Sequence, residues 1–455
     1  MSLDALLGFT QALALTMSVA FLVYVGVIVV PYLRRRPEPS GDPAGFDWHF
    51  VVPCLDEAAV VGGTVRYLRA TFPAARVWVV DDDSADGTAG VVLALAAEDP
   101  AVRLVRRRAP SARTGKGDAL NAGYRELRRW LVERAGAAGR AFDASRVVVV
   151  VVDADGRPAE NCLAVCAAPE LFGSPEVGAV QVDVRMVNTG VRQEGVPRWR
   201  RAFGAGLVRM QDLEFRTAIA AIQLSRGVTG TISLGGNGQF TRLSALDSVA
   251  GPAGPWRGSL LEDFELGVHL LTAGWRTAFT TGTHVRQEGL YSLRRFLAQR
   301  TRWGQGTMQC ARYLRRVWDS PHLSTLGAAE LTYYLAQPWM QLLGTLVYPI
   351  PLLLLAHQAV LAPGAVWAWF TGGAWLLFAV YGVFGLVPFV LWGPVYRARC
   401  EPGTGFWRSL GYGFGYGLYI YTFYVTSWRA AARLASGRDG WTKTRRNTEP
   451  ARPRQ

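Results

Sequence analysis

Lysine is nearly absent from this chain. Of 455 residues only Lys116 and Lys443 are lysines, so arginine carries almost all of the positive charge behind a formal net charge of +14. Charge is sparse altogether, 18% of residues against 50% hydrophobic, which is poor for an ordinary soluble protein. The arginines are spread out, and no zinc-finger, helix-turn-helix or RNP pattern accompanies them, so the charge does not point to a nucleic-acid partner. A cytoplasmic membrane face and a phosphate-bearing substrate explain the excess better. Five cysteines (Cys54, Cys162, Cys166, Cys310, Cys400) form no CxxC pair or metal spacing and read as small buried thiols of a reducing compartment. A repeat of 20–50 residues, a Walker motif and a GxGxxG after the first strand are all missing.

Long apolar runs are present instead. The first covers about Leu7 to Leu33, close to the ~20 residues that cross a bilayer and longer than a signal-peptide core. Arg34, Arg35 and Arg36 follow it directly and no basic residue precedes it. The positive-inside rule therefore expects an anchor with Arg34 in the cytoplasm. Three further apolar segments cover about Leu335 to Leu361, Val366 to Trp392 and Leu410 to Trp428. Four spans would leave the basic tail outside, against the same rule, and Pro338, Pro349 and Pro351 make the first of the three the one to be broken. The expected organisation is an anchor at 1–36, a Pro/Gly linker at 37–45, a soluble domain at 46–325, transmembrane or interfacial helices at 326–428 and a basic tail at 429–455.

Within 46–325 the pattern alternates. HFVVP, VWVVDD, VRLVRR and RVVVVVVDAD are β-branched runs of strand length, separated by helical stretches at Glu57 to Thr71, Gly87 to Asp99 and Gly117 to Ala135. Buried strands alternating with helices imply an α/β fold with a mostly parallel sheet, which binds ligands at the carboxyl ends of its strands. Asp81, Asp82, Asp153 and Asp155 all fall at such ends.

Those acids have chemistry suited to a nucleotide sugar. In DAD, Asp153 and Asp155 follow six valines and can share a divalent ion or a ribose diol. A bare DxD is common on surfaces; the strand before it gives it weight. DDDSADGT has an ordinary turn reading, yet three acids ending a buried strand are costly unless something binds them. Lys116 in TGKGDALN suits a phosphate or base, the alternative being a solvated helix start; Gly117 stands where a Walker loop needs Ser or Thr. LLEDFELG supplies Asp263 as a base for an acceptor hydroxyl, with Glu262 positioning it, against the plainer reading of an acidic helix N-terminus. In QRTRW, Arg302 offers a fixed fork to a leaving diphosphate and Trp303 a face for a pyranose. Alone, the quintet is a basic interfacial helix. His284 reads as a hydrogen-bonded histidine, GGNGQF as a turn able to approach an acceptor closely, and the glycines from Gly411 to Gly417 as close helix packing.

The ordered set VPCLDE, DDDSADGT, TGKGDALN, DAD, ED, QRTRW and WTKTR resembles the membrane-integrated family 2 glycosyltransferases, namely the cellulose, hyaluronan, chitin-oligosaccharide and poly-N-acetylglucosamine synthases. The resemblance implies a GT-A domain on the cytoplasmic face of the plasma membrane, Mg2+ or Mn2+, and direct inversion of a UDP-sugar to a β-linkage. Matched motif by motif, Glu57, Asp81, Asp82 and Lys116 contact the nucleotide, while Asp153 and Asp155 hold nucleotide and metal. Asp263 becomes the base, and Gln299, Arg302 and Trp303 frame diphosphate and acceptor. Trp441, Thr444 and Arg445 fall on a cytoplasmic gate. Two positions depart from the pattern: Asp83 replaces a small residue and Asp56 a common Asn. The leading expectation is a processive enzyme that builds and extrudes a polysaccharide from UDP-N-acetylglucosamine or UDP-glucose. The alternative is a non-processive synthase glycosylating a lipid such as diacylglycerol, and a third reading is a non-catalytic, nucleotide-regulated membrane protein.

Overall fold

The computed structural model describes residues 3–35, 39–139, 141–438, 440 and 447. Trp441, Thr444 and Arg445, the expected gate, lie outside the described residues. The four predicted strands form as β1 (Asp47–Cys54), β2 (Arg76–Asp82), β3 (Val102–Arg107) and β4 (Val147–Val151). Helices Ala58–Thr71, Thr88–Glu98 and Lys116–Ala137 connect them. These four pair in parallel in the order β3-β2-β1-β4, the arrangement that helical crossovers enforce.

The other half of the sheet departs from the expectation of a mostly parallel one. Four more strands, β5 (Arg157–Pro158), β6 (Val177–Met186), β7 (Gln239–Arg242) and β8 (Arg276–Gln287), complete the order β3-β2-β1-β4-β7-β6-β8-β5. β7 runs antiparallel to both β4 and β6, β5 runs antiparallel to β8, and β6 and β8 are parallel. The sheet is mixed. Between β6 and β7 the chain leaves through helices Arg198–Leu213 and Ala220–Thr229, joined by a π-helix at Glu214–Ile219, and returns in the opposite direction. Two apolar layers cover the sheet, one led by Phe50, Val150 and Phe240, the other by Val51, Val149 and Trp256.

The apolar segments also differ from expectation. The N-terminal helix, Leu3–Arg34, contains a stretch, Gln11–Arg34, that is long and apolar enough to cross a membrane, and among the described residues it is the only one. The segment 335–361 is divided between helices Thr325–Val347 and Pro349–Leu361, so Pro338 is tolerated and the break falls before Pro349. The segment 366–392 is divided among Pro363–Trp369, a π-helix at Phe370–Ala374 with Gly373 at φ 111°, and Trp375–Val390. Residues 410–428 lie in the helix Phe406–Ala435, whose polar and glycine positions dilute its apolar character. The expectation of three further spans therefore finds no support in these helices. Of the glycine ladder, Gly413 serves close packing: a Cβ there would meet the Val390 carbonyl oxygen at 2.1 Å. A third apolar cluster joins Val25, Ile28 and Tyr32 of the N-terminal helix to Leu213, Ala221, Phe296 and Tyr419. It docks the N-terminal helix and the helix Phe406–Ala435 against the sheet-bearing half.

Candidate active site

A large cavity opens beyond the end of β4. β4 is wholly buried, and Asp153, two residues past its end, emerges where helix Lys116–Ala137 begins. Lys116 Nζ donates to Asp153 Oδ1 and to the Gly236 carbonyl oxygen, both at 2.7 Å, and stands 3.9 Å from Glu262 Oε1. Burial alone would lower the Lys116 ammonium, but Asp153 and Glu262 hold it above the usual lysine range. Gly117 faces Glu262 as well: a Cβ on it would lie 2.9 Å from the Arg257 carbonyl oxygen and 3.3 Å from Glu262 Cβ. A Walker-type Ser or Thr has no room there.

GGNGQF makes the close approach. A Cβ on Gly236 would lie 2.8 Å from Lys116 Nζ and 3.1 Å from Asp263 Oδ2. Gly235 N–H donates to Gln181 Oε1 at 2.8 Å, and Asn237 Oδ1 accepts from Asp153 N–H at 3.2 Å, which fixes the loop against the acids. Glu262 and Asp263 open the helix Glu262–Thr272 and are only 6% and 9% exposed. Burial, and then the charge of Asp263, raise Glu262 to about 7; burial raises Asp263 too, opposed by Lys116 and Arg302. A buried carboxyl pair with raised proton affinity is suited to taking a proton.

QRTRW lies mid-helix in Leu293–Cys310 and turns Gln299, Arg302 and Trp303 toward the same cavity. Burial lowers Arg302, against the pull of Glu262, Asp153 and Asp263. Trp303 is held from behind. Arg300 Cζ lies 4.3 Å from its ring centre, and Phe215 meets it edge-on at 6.3 Å. Arg300 is locked in turn by Glu214, with bonds of 2.9 and 2.6 Å from its two terminal nitrogens, and by the Tyr419 hydroxyl at 3.0 Å.

Seven expected residues thus share one cavity: Lys116, Asp153, Glu262, Asp263, Gln299, Arg302 and Trp303. Four others, Glu57, Asp81, Asp82 and Asp155, lie outside its lining. Glu57 immediately precedes the helix Ala58–Thr71, its N–H bonded to Thr88 Oγ1. Asp81 is fully buried at the end of β2 and accepts from Ser84 N–H at 3.2 Å. Asp82 pairs with Arg107 and accepts from Arg113 N–H at 3.0 Å; burial still raises its carboxyl. Asp155 Oδ2 accepts from Glu288 N–H at 3.2 Å. His284 accepts from Arg286 at 3.2 Å and stands outside the cavity lining. Sequence reasoning missed Gln181, Asp183, Arg107, Glu214 and Arg300. The available signal was polarity where a strand or helix buries its residues, as in VQVDV.

No group of three or more His, Cys, Asp or Glu residues placed to hold a metal ion occurs among the described residues. The two carboxylates of DAD, both oxygen donors, nonetheless suit a hard divalent ion, which would need further ligands from outside the chain.

The mixed sheet, with Asp153, Lys116, Arg302 and a buried acidic pair around one cavity, is that of a glycosyltransferase of the GT-A class. Residues 46–306, more than half the chain, match the family described as glycosyltransferase like family 2, and the chain belongs to that family. It is 32% identical over 269 residues to the beta-monoglucosyldiacylglycerol synthase of Synechocystis sp., covering 58% of this chain and 48% of that one. It is 36% identical over 106 residues to the undecaprenyl-phosphate mannosyltransferase of Micrococcus luteus, covering 23% of this chain and 37% of that one. The chain therefore spans about half the length, or less, of these curated relatives. Among solved structures, a mannosyltransferase from Pyrobaculum calidifontis in complex with GDP-Man and Mn2+ shares the fold, with TM-score 0.56 and 17% identity over 95% of this chain and 98% of that one.

Proposed function

We propose that this protein is a membrane-associated, inverting glycosyltransferase that moves a hexose from a UDP-sugar to the hydroxyl of a membrane lipid such as diacylglycerol. One observation carries the reading. The cavity that holds Lys116, Asp153 and Asp263 continues, with a volume of 1320 Å³, to walls made by Phe21, Tyr24 and Ile28 of the N-terminal helix and by Met340 and Tyr348. That exceeds the ~300–1,000 Å³ of small-ligand pockets, and it joins a reactive end to an apolar one. The diacylglycerol synthases among the relatives support a lipid acceptor over the polysaccharide product expected first.

In this reading Glu57, Asp81 and Asp82 serve the nucleotide side. Mg2+ or Mn2+ held by Asp153 and Asp155 would neutralise the diphosphate. Asp263 takes the proton of the acceptor hydroxyl as its oxygen bonds to the anomeric carbon, and the bond from that carbon to the diphosphate breaks. Lys116 and Arg302 receive the charge that develops on the diphosphate. Glu262 keeps the pair's proton near at hand, while Gln299 and Trp303 frame the acceptor. The N-terminal helix anchors the chain in the plasma membrane, with the catalytic half on the cytoplasmic side where Arg34 and Arg35 sit.

The test is a product assay. The purified chain in lipid, given radiolabelled UDP-glucose or UDP-N-acetylglucosamine, diacylglycerol and Mg2+ or Mn2+, is expected to yield a single-sugar lipid. High-molecular-weight polymer would overturn the lipid reading in favour of processive synthesis.

A further inference from the structure

The apolar reach of the cavity carries a polar strip that the steps above leave unused. Helix Thr325–Val347 forms one wall of it, and Tyr334, Gln337 and Gln341 of that helix all line the cavity. Tyr334 packs its ring 4.9 Å from that of Phe264, the neighbour of Asp263, so the helix passes the reactive end here. With a helical rise of ~1.5 Å per residue, Gln337 and Gln341 stand about 4.5 and about 10 Å farther along its axis. Beyond them Tyr348, just past the helix, meets Ser18 of the N-terminal helix at 3.1 Å. Two amides, at i and i+4 on one helix face, thus line the way from the catalytic acids to the apolar end.

Two other amides of the cavity are spent within the protein. Gln181 bonds Gly235 and Asn237, and Gln223 bonds Ser233 through both ends of its side chain. Gln341 differs. Its Oε1 accepts from the Ser427 hydroxyl, which fixes the amide and leaves its N–H groups as the end offered to the cavity. Gln337 meets the Tyr333 hydroxyl one turn back, and a side-chain amide has a second N–H to give. Residues 333–348 include no Asp, Glu, Lys or Arg, so these donors stand on an uncharged wall. The hydroxyl of a diacylglycerol is committed to Asp263, but its ester carbonyls remain. They can only accept, so carboxylates cannot serve them, and an apolar wall without donors would make their burial costly.

We propose that Gln337 and Gln341 are specificity-determining residues that donate hydrogen bonds to the two ester carbonyls of a diacyl glycerolipid acceptor. They select it over lipids of the same length that lack those carbonyls, such as dialkyl ethers. The assignment rests on the lipid-acceptor reading above and names the part of the lipid, apart from its reacting hydroxyl, that the protein recognises.

Two lipids that differ only in those carbonyl oxygens test it without turnover. Native mass spectrometry on the full chain in detergent would compare 1,2-dioleoylglycerol with 1,2-di-O-oleylglycerol, which share the free hydroxyl and the tails. The wild type is expected to bind the ester lipid roughly tenfold more tightly, as two ordinary hydrogen bonds imply. Gln341→Leu is combined with Ser427→Ala so that no buried hydroxyl is stranded. This variant is expected to close much of the gap by weakening the ester lipid while the ether lipid holds, and Gln337→Leu to close part of it in the same way. Equal wild-type binding, or variants that keep the wild-type ratio, overturns the proposal, since a merely structural role would weaken both lipids alike. The product assay judges the acceptor reading separately. A polymer product would sink that reading, while the ester-to-ether ratio would still decide whether these glutamines read the carbonyls.

Discussion

Arg300 in QRTRW has no assigned partner in the sequence, yet the structure makes it a support for the acceptor platform. Its guanidinium and the Glu214 carboxylate are 6% and 4% exposed and meet through two hydrogen bonds, with Tyr419 closing the group from the helix Phe406–Ala435. Burial raises the Glu214 carboxyl, and Arg300 pulls it back. Arg300→Met would strand that carboxylate with the Tyr419 hydroxyl as its remaining donor among these contacts. Removing one partner of a buried pair costs about 3–5 kcal/mol, whereas replacing both with apolar residues is often neutral. Losing the cation from the face of Trp303 costs ~0.5–2 kcal/mol of platform order as well. Arg300→Met is thus expected to be strongly destabilised, and Arg300→Met with Glu214→Met to recover most of the loss. Denaturant and thermal unfolding of detergent-purified variants, followed by tryptophan fluorescence, measures both. A single-variant cost below about 1 kcal/mol, or a double variant as damaged as the sum of the singles, would refute the reasoning.

Four further predictions follow the site. Asp263→Asn is expected to abolish transfer while UDP affinity, read by titration calorimetry, stays near the wild-type value; retained turnover removes Asp263 as the base. Burial raises both carboxyls of the pair, and the base must be ionised, so the rate should climb with rising pH along a limb lying above the ordinary carboxylate range. Glu262→Gln deletes one negative neighbour and should move this limb to lower pH, and an unmoved limb contradicts the pairing. Gly236→Ala pushes a Cβ at the Lys116 ammonium, so the KM for the UDP-sugar should rise several-fold while the melting temperature holds; an unchanged KM argues against Lys116 at the donor. Excess EDTA should stop the reaction and Mn2+ or Mg2+ restore it, whereas full activity in EDTA rules out a metal role for Asp155.

Local chemistry was strong enough to read half the fold from the chain. Six valines ending in DAD and VWVV ending in DDD formed β4 and β2 at the expected places, because buried β-branched runs between helices have few other folds open to them. The same rule fails beyond β4. β5 and β7 are two and four residues long, too short for a pattern of their own to set their direction, and β7 comes back antiparallel only after the helical excursion that follows β6. At the other end of the chain, helix boundaries at Pro349 and Gly373 fall inside runs that composition treats as continuous, and the further spans expected there find no support.

The sequence by itself determined the chemical inventory: the acids at strand ends, the lone lysine before the tail, the acidic pair and the QRTRW helix, each legible because a short motif carries its own chemistry. Only the tertiary structure decided which of these meet. It drew Lys116, Asp153, Glu262, Asp263, Gln299, Arg302 and Trp303 around one cavity, tied Asp82 to Arg107 instead, and brought Asp183 and Arg300 into the walls. Those outcomes depend on contacts across long sequence separations, such as Arg300 with Glu214 or Lys116 with Gly236. No local spacing encodes them, because the burial that makes each pairing necessary exists only once the helices close over the sheet.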